Sequence, residues 1–388
     1  MKRLFSFFII SALLVSPSAF AATKKPTVKA LKLLTSAGST DEFAGVVTSG
    51  KIIVIFGNKG DKSFARAIDS TGTQLWNIAL DPSSASIATA AAVDNSGTVW
   101  IAGSTSLLRP LPAATASASP LNPDQINPVP DIFSADLDAF SLWSINPVTQ
   151  SLTQFSYQLK TPVLINALVA DKAGLTAVGS SGFIVNTDLK GQISKPIYVG
   201  TEATNFESVI RNSDGTITAV GSSSETLGGK KLVGKVDGII VKVSKLGKIT
   251  NVVRSSATKA LRSWANASPT LLLGGEVITN AKIESSVTKF STAFIPTWTY
   301  RFASTGSTYV SGNSYAFFQS TSAISNFSNW APKIAQSLLV SFDAKGAINA
   351  GYSAPVEQNQ VLGLSFSKDL GLLCITASAE TVSIFTLN

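Results

Sequence analysis

The chain of 388 residues contains no histidine. That absence removes Ser-His-Asp and Cys-His machinery, imidazole proton transfer near neutral pH, and the usual zinc, copper and non-haem iron sites. Cys374 is the single cysteine, so no disulfide can form within the chain and the fold must rest on packing. Its place in the apolar run LLCIT (372–376) marks it as a buried, inert thiol. Charged residues make up only 14% of the sequence, while hydrophobic ones reach 45%, a balance that argues for a large core and against disorder. Beyond the N-terminus no apolar run is long enough to cross a bilayer as a helix. No cofactor is called for by any motif.

The N-terminus itself has the layout of a secretory signal peptide: MKR, an apolar stretch LFSFFIISALLV (4–15), and a small-x-small site at Ala19-Phe20-Ala21. We therefore expect residues 1–21 to be removed. The remainder, 22–388, is expected as one exported domain, secreted, periplasmic or at the cell surface, and monomeric. The formal charge is +8, two units of which leave with Lys2 and Arg3. A basic exported protein can meet anionic envelope or extracellular polymers, although a solvated lysine-rich surface is the plainer reading. Nothing in the pattern calls for nucleic acid.

What is present is a repeat. AAVDNSGTVWIAGST (91–105) returns in looser form as LVADKAGLTAVGSS (168–181) and VIRNSDGTITAVGSSS (209–224). Each copy is an apolar strand, a tight Asp/Gly turn and a second strand that commonly ends in Gly; two further strands, joined by another tight turn, follow a variable loop. Seven such a–b pairs can be laid out between residues 43 and 377, with successive b strands about 53 residues apart. Four antiparallel strands repeated around an axis make a β-propeller, and seven units fall within the usual blade numbers. The fold class expected is all-β, a seven-bladed propeller. The last unit lacks a fourth strand, and PTVKALKLLTS (26–36) is an orphan, so the N-terminal segment should complete the last blade.

DGIIVKVSKLGKI (237–249), DAFSLWSINPVTQSL (138–152), VDNSGTVWIAGST (93–105) and NSDGTITAVGSS (212–223) resemble the bacterial exported beta-propeller repeats, the SBBP-like family. The likeness is strong in blades 2 to 4, whereas NASP and SGN replace the expected turns in blades 5 and 6. The resemblance implies the seven-bladed fold and no uniform activity.

Antiparallel order puts the a–b and c–d turns on one face of the disc and the b–c and d–a loops on the other. The three long insertions, 104–137, 222–236 and 319–335, are all b–c loops, so binding is expected on that face and at the channel mouth. Within them, Phe327 and Trp330 stand three apart in a polar loop and suit carbohydrate stacking or an interface anchor. Lys230, Lys231 and Lys235 gather around glycines without the spacing of a phosphate-binding loop. Asp131, Asp136 and Asp138 form a loose oxygen-ligand candidate for calcium, set against turn-capping for Asp138, which matches Asp237 in the repeat. The 104–137 segment carries six prolines and reads as an extended arm or a surface stretch.

No catalytic constellation is evident. Ser256-x-x-Lys259, Ser286-x-x-Lys289 and Ser365-x-x-Lys368 fall in strands and turns with no Lys-Thr-Gly partner. Most aspartates are occupied in tight turns, which leaves Glu202, Glu207, Glu276 and Glu284 unassigned. The expectation is a non-catalytic binding or scaffold module, with a carboxylate-dependent glycosidase or lyase in the central channel as the alternative.

Overall fold

A computed structural model describes residues 25–106 and 137–387. Residues 1–21, expected to be a signal peptide, and Asp131 and Asp136 lie outside the described residues, as does most of the proline-rich segment. The described chain is built of strands arranged as seven antiparallel sheets. Blade 1 comprises Phe43–Ser49, Ile52–Lys59, Lys62–Ile68 and Gln74–Ala79 as strands a to d. Blade 2 runs Ser86–Val93, Val99–Thr105, Ala139–Ile145 and Leu152–Gln158. Blade 3 runs Ile165–Asp171, Gly174–Gly179, Phe183–Thr187 and Ile197–Tyr198. Blade 4 is Thr204–Arg211, Ile217–Ser223, Asp237–Val243 and Ile249–Ser255. Blade 5 is Leu261–Ala267, Leu272–Ile278, Ile283–Phe290 and Pro296–Ala303.

Blade 6 contains Tyr309–Ser311, Tyr315–Ser320, Gln336–Phe342 and Ile348–Ser353. In blade 7, Gln360–Ser367, Gly371–Ala377 and Thr381–Thr386 are followed in the sheet by the N-terminal strand Lys32–Ser39, antiparallel to Thr381–Thr386. The expected closure is therefore present, with one correction. Residues 26–36 do not act as a single strand. Val28–Ala30 instead adds a fifth, parallel strand to blade 6 beside Ile348–Ser353, and the chain crosses to blade 7 at Leu31. One short segment seals two blades.

Packing follows from the position of each strand. Strand b is sandwiched between neighbouring blades, so both of its faces are apolar: every residue of Val99–Thr105 and Gly174–Gly179 is buried. Strand d is the outer edge and alternates, as in Gln74–Ala79. The core is divided into seven apolar clusters among the described residues, one per seam. The cluster joining Ile53 and Ile55 of blade 1 to Leu373, Ile375 and Ile384 of blade 7 closes the ring. Cys374 is buried in the seam between blades 6 and 7, and burial pushes its thiol pKa up.

The repeated Asp-x-x-Gly turn has a direct cause. Asp94 Oδ1 accepts the backbone N–H groups of Ser96 and Thr98 at 2.8 and 3.1 Å, while Gly97 takes a positive φ of 86°. Trp100 Nε1 donates to the other oxygen, Oδ2, at 2.9 Å, which ties turn to core. Burial raises the Asp94 pKa, but these hydrogen bonds outweigh it and hold the carboxyl below its usual range. Asp343 accepts from the backbone of Lys345 and Ala347, and Asp188 from that of Lys190 and Gln192, in the same way.

Candidate functional site

Each of the seven innermost strands contributes to a cavity of about 560 Å3 along the axis, through Phe43, Ala90, Asn166, Glu207, Ala265, Tyr309 and Leu362 among others. Six of these strands carry a one-residue register jump, near the start in blades 1, 3 and 7 and around the middle in blades 2, 4 and 5, which leaves Ala44, Thr89, Asn166, Glu207, Ala265 and Leu362 unpaired with strand b. A bulge re-aims its extra side chain. Because the start of strand a adjoins the d–a loop, the bulges of blades 1, 3 and 7 sit at the channel end on the elaborated face.

The bulges also explain the Gly that ends strand b. At Gly57, Gly103, Gly179, Gly221 and Gly275, a Cβ would stand 1.8 to 2.0 Å from a backbone carbonyl oxygen at the start of strand a. No side chain fits there.

Two adjacent bulges are strongly polar. Asn166 Nδ2 donates to Asn205 Oδ1 at 3.0 Å and to the Phe206 carbonyl at 2.9 Å, and Asn205 Nδ2 in turn donates to Glu207 Oε1. Burial pushes the Glu207 pKa up; the Asn205 hydrogen bond opposes the rise and the negative charge of Glu276 adds to it. Tyr309 faces the same point, its phenol pushed up by burial and then by Glu207. Glu207 is the one carboxylate among the described residues that line this cavity. Glu276 lies on strand b of blade 5, where Ser263 Oγ donates to it at 3.4 Å.

The b–c connection of blade 4 is held rigidly. Asp237, fully buried, accepts the backbone N–H groups of Val233 and Gly234 at 3.0 and 2.9 Å and pairs with Arg254 at 3.2 Å. Burial raises its pKa, and the hydrogen bonds from Val233, Gly234, Ser256 and Arg254 more than offset that. Arg254 also donates to the carbonyls of Lys230 and Glu225. At the loop's start, Glu225 Oε1 accepts from the N–H and hydroxyl of Thr201 and Thr204 respectively, each at 2.7 Å. At its end, Lys235 N–H donates to the Ala260 carbonyl at 2.8 Å. Lys230, Lys231 and Lys235 are exposed on this framework, and none forms an ion pair among the described residues. Of the three, Lys235 alone has a side-chain hydrogen bond among the described residues, 3.4 Å to Asn280 Oδ1.

The b–c connection of blade 6 does something else. Phe327 and Trp330, expected as a stacking platform, are 5% and 8% exposed and belong to the core between blades 5 and 6. Trp330 Nε1 donates to Ser320 Oγ at 3.1 Å, and Phe327 lies over Gly351, where any Cβ would meet its ring at 2.7 Å. Stacking a sugar needs a bare ring face, and these faces are spent on packing. Between them, Asn329 clamps the fifth strand: its Oδ1 accepts Val28 N–H at 2.7 Å and its Nδ2 donates to the Val28 carbonyl at 3.2 Å. The loop thus receives the chain's own N-terminal strand.

Of the calcium candidate, only Asp138 is among the described residues, buried at the start of strand c where Asp237 stands in blade 4. No group of three or more Cys, Asp or Glu side chains converges among the described residues. Among these residues no helix is long and apolar enough to cross a membrane.

No family model and no curated protein matches the chain. Among solved structures it is similar to the crystal structure of RRP9 WD40 repeats, with a TM-score of 0.58 over 94% of this chain and 99% of that one, at 9% sequence identity. At that identity the likeness concerns the fold alone, and the fold is a seven-bladed β-propeller.

Proposed function

We propose that this protein is an exported, non-catalytic binding or scaffold propeller, freed of residues 1–21 and monomeric. It holds an anionic envelope or extracellular polymer, or a protein of like charge, against the b–c face through Lys230, Lys231 and Lys235. The observation that carries this is the display of three lysines without ion-pair partners on a loop pinned by Asp237, Arg254 and Glu225. A preorganised cationic edge loses little entropy on binding, which favours an extended anionic ligand over a tail of free lysines. The resemblance to bacterial exported propeller repeats supports the exported part of this reading and carries nothing about the ligand.

Replacing all three lysines with glutamate tests it. At about 1 kcal/mol per lysine near an anionic surface, affinity for polyuronate or polyphosphate should fall about 100-fold or more at low salt. The thermal midpoint should stay unchanged, since the three side chains are exposed. Unchanged polymer binding would reject this face as the site.

The alternative, a glycosidase or lyase in the channel, would rest on Glu207 and Glu276. Both carboxylates would have to aim at one point, yet Glu276 stands outside the cavity's lining and is turned to Ser263. The binding reading therefore stands ahead.

A further inference from the structure

On the side of blade 5 that faces blade 4, three buried polar atoms have no hydrogen-bond partner among the described residues: Arg262 Nε, Trp264 Nε1 and Ser286 Oγ. Strand pairing puts them in two adjacent rows. Arg262 lies opposite Val277, which lies opposite Glu284; Trp264 lies opposite Gly275, then Ser286, then Arg301. Cross-strand neighbours project to the same side, so all of them share one surface. Trp264 reaches blade 4, its Nε1 standing 2.8 Å from where a Cβ of Gly238 would be.

Arg262 is 6% exposed, and its guanidinium carbon sits 4.5 Å over the Trp264 ring. Burial, with some help from the nearby Arg301, lowers its pKa to about 10. A guanidinium in such a place ordinarily has a carboxylate beside it. The one acid in these rows, Glu284, is already engaged by Lys282 at 2.7 Å and Arg301 at 3.7 Å. The rows lie at the end of the blade nearest the elaborated face. There Arg262 N–H donates to the Val236 carbonyl, so Lys235 stands at the same edge. Cations outnumber acids, and the unmet hydrogen-bonding groups include two donors and a hydroxyl.

We propose that the seam between blades 4 and 5 is a binding site for a tetrahedral oxyanion group, phosphate or sulfate, held by Arg262, Trp264 Nε1, Ser286 and Arg301. Planar guanidinium forks and N–H donors at low dielectric suit such a group better than a cation or a neutral sugar. The inference deepens the polymer-binding reading by naming the group on the polymer, but it stands or falls separately from the lysines.

The full mature chain is titrated with inorganic phosphate and with sulfate, against chloride at matched ionic strength, by calorimetry and thermal unfolding. Both oxyanions should bind and raise the midpoint. Arg262→Met should weaken phosphate binding at least tenfold, and Arg301→Gln, at a half-exposed position, should weaken it severalfold with the fold intact. If Arg262→Met fails to fold, the Arg301→Gln titration decides. Polyphosphate forms the second arm. A Lys230→Glu/Lys231→Glu protein, which leaves Lys235 at the edge of the seam intact, should keep its inorganic phosphate response while losing polymer affinity, which separates a failure of the seam from a failure of the lysine face. No phosphate response in the unaltered protein, or one unchanged in both arginine variants, overturns the proposal.

Discussion

A chain that lacks residues 25–39 should not fold. Lys32–Ser39 supplies the outer strand of blade 7, with Ala37 and Thr35 buried and Leu34 packed into the seam between blades 7 and 1. Leu31 is buried in the seam between blades 6 and 7, and Val28 packs on the core beneath Phe327. Burial of a Leu-sized side chain contributes about 1.5–3 kcal/mol, and each ladder hydrogen bond about 1 kcal/mol net. Together these come to roughly 10 kcal/mol, as large as the whole stability of a typical domain. The exposed edge of Thr381–Thr386 would moreover invite pairing between molecules. The expected result is an aggregated or unfolded product, read by circular dichroism and gel filtration, with partial recovery when a peptide of residues 25–40 is added in excess. A cooperative unfolding transition within a few degrees of the full-length protein would show that the ring closes without this segment.

The second large effect should come from one methyl group. Gly221→Ala puts a Cβ 2.0 Å from the Asn205 carbonyl oxygen and 2.8 Å from the Phe206 Cα, both backbone atoms that cannot turn aside. The bulge that aims Glu207 would have to shift, at about 3 kcal/mol or more, the upper end of overpacking costs. Gly363→Ala is the matched control. Its Cβ would meet only Ile375 side-chain atoms at 3.5 Å or beyond, and its φ is not positive, so the change should be neutral or stabilise by a few tenths of a kcal/mol through the unfolded chain. Urea midpoints for the two variants should therefore move by clearly different amounts. Equal shifts would mean that the strand-b glycine is not held by the bulge.

The ring of seven blades was legible because many of its turns are chemically explicit: an Asp side chain that accepts backbone N–H groups two and four residues on, with a Gly at positive φ, marks those hairpins. Where other residues do those tasks, the marking fades. In blade 5, Ser268 Oγ accepts the Leu272 N–H and Leu271 takes φ of 62°, so NASP conceals an ordinary turn. The c–d pair of that blade, Ile283–Phe290 with Pro296–Ala303, left no signature at all, since Phe294 occupies the left-handed position at 57°. The division of residues 26–36 between two blades was equally hidden, because the crossing at Leu31 uses no turn residue.

The site was less legible than the fold. The one-sided placement of long loops followed from strand order, but burial of Phe327 and Trp330 depends on a strand three hundred residues away. Sequence spacing showed two aromatics in a polar loop and gave no view of Val28 packed against their cluster. The bulges were signalled only indirectly, by the Gly ending each b strand, and nothing local distinguishes Glu207 from the other unassigned glutamates. Arg262, Trp264, Ser286 and Arg301 meet only through cross-strand pairing in a blade whose turns were obscured.

If recognition takes place on the face bearing the long connections, a bound polymer should shield that face and leave the other untouched. Amide hydrogen exchange of residues 22–388 with and without a polyanion measures this. Slowed exchange is predicted in residues 224–236 and 257–262, with no change in the opposite turns at 69–73, 94–98 and 188–192. Protection confined to those Asp-x-x-Gly turns would contradict it.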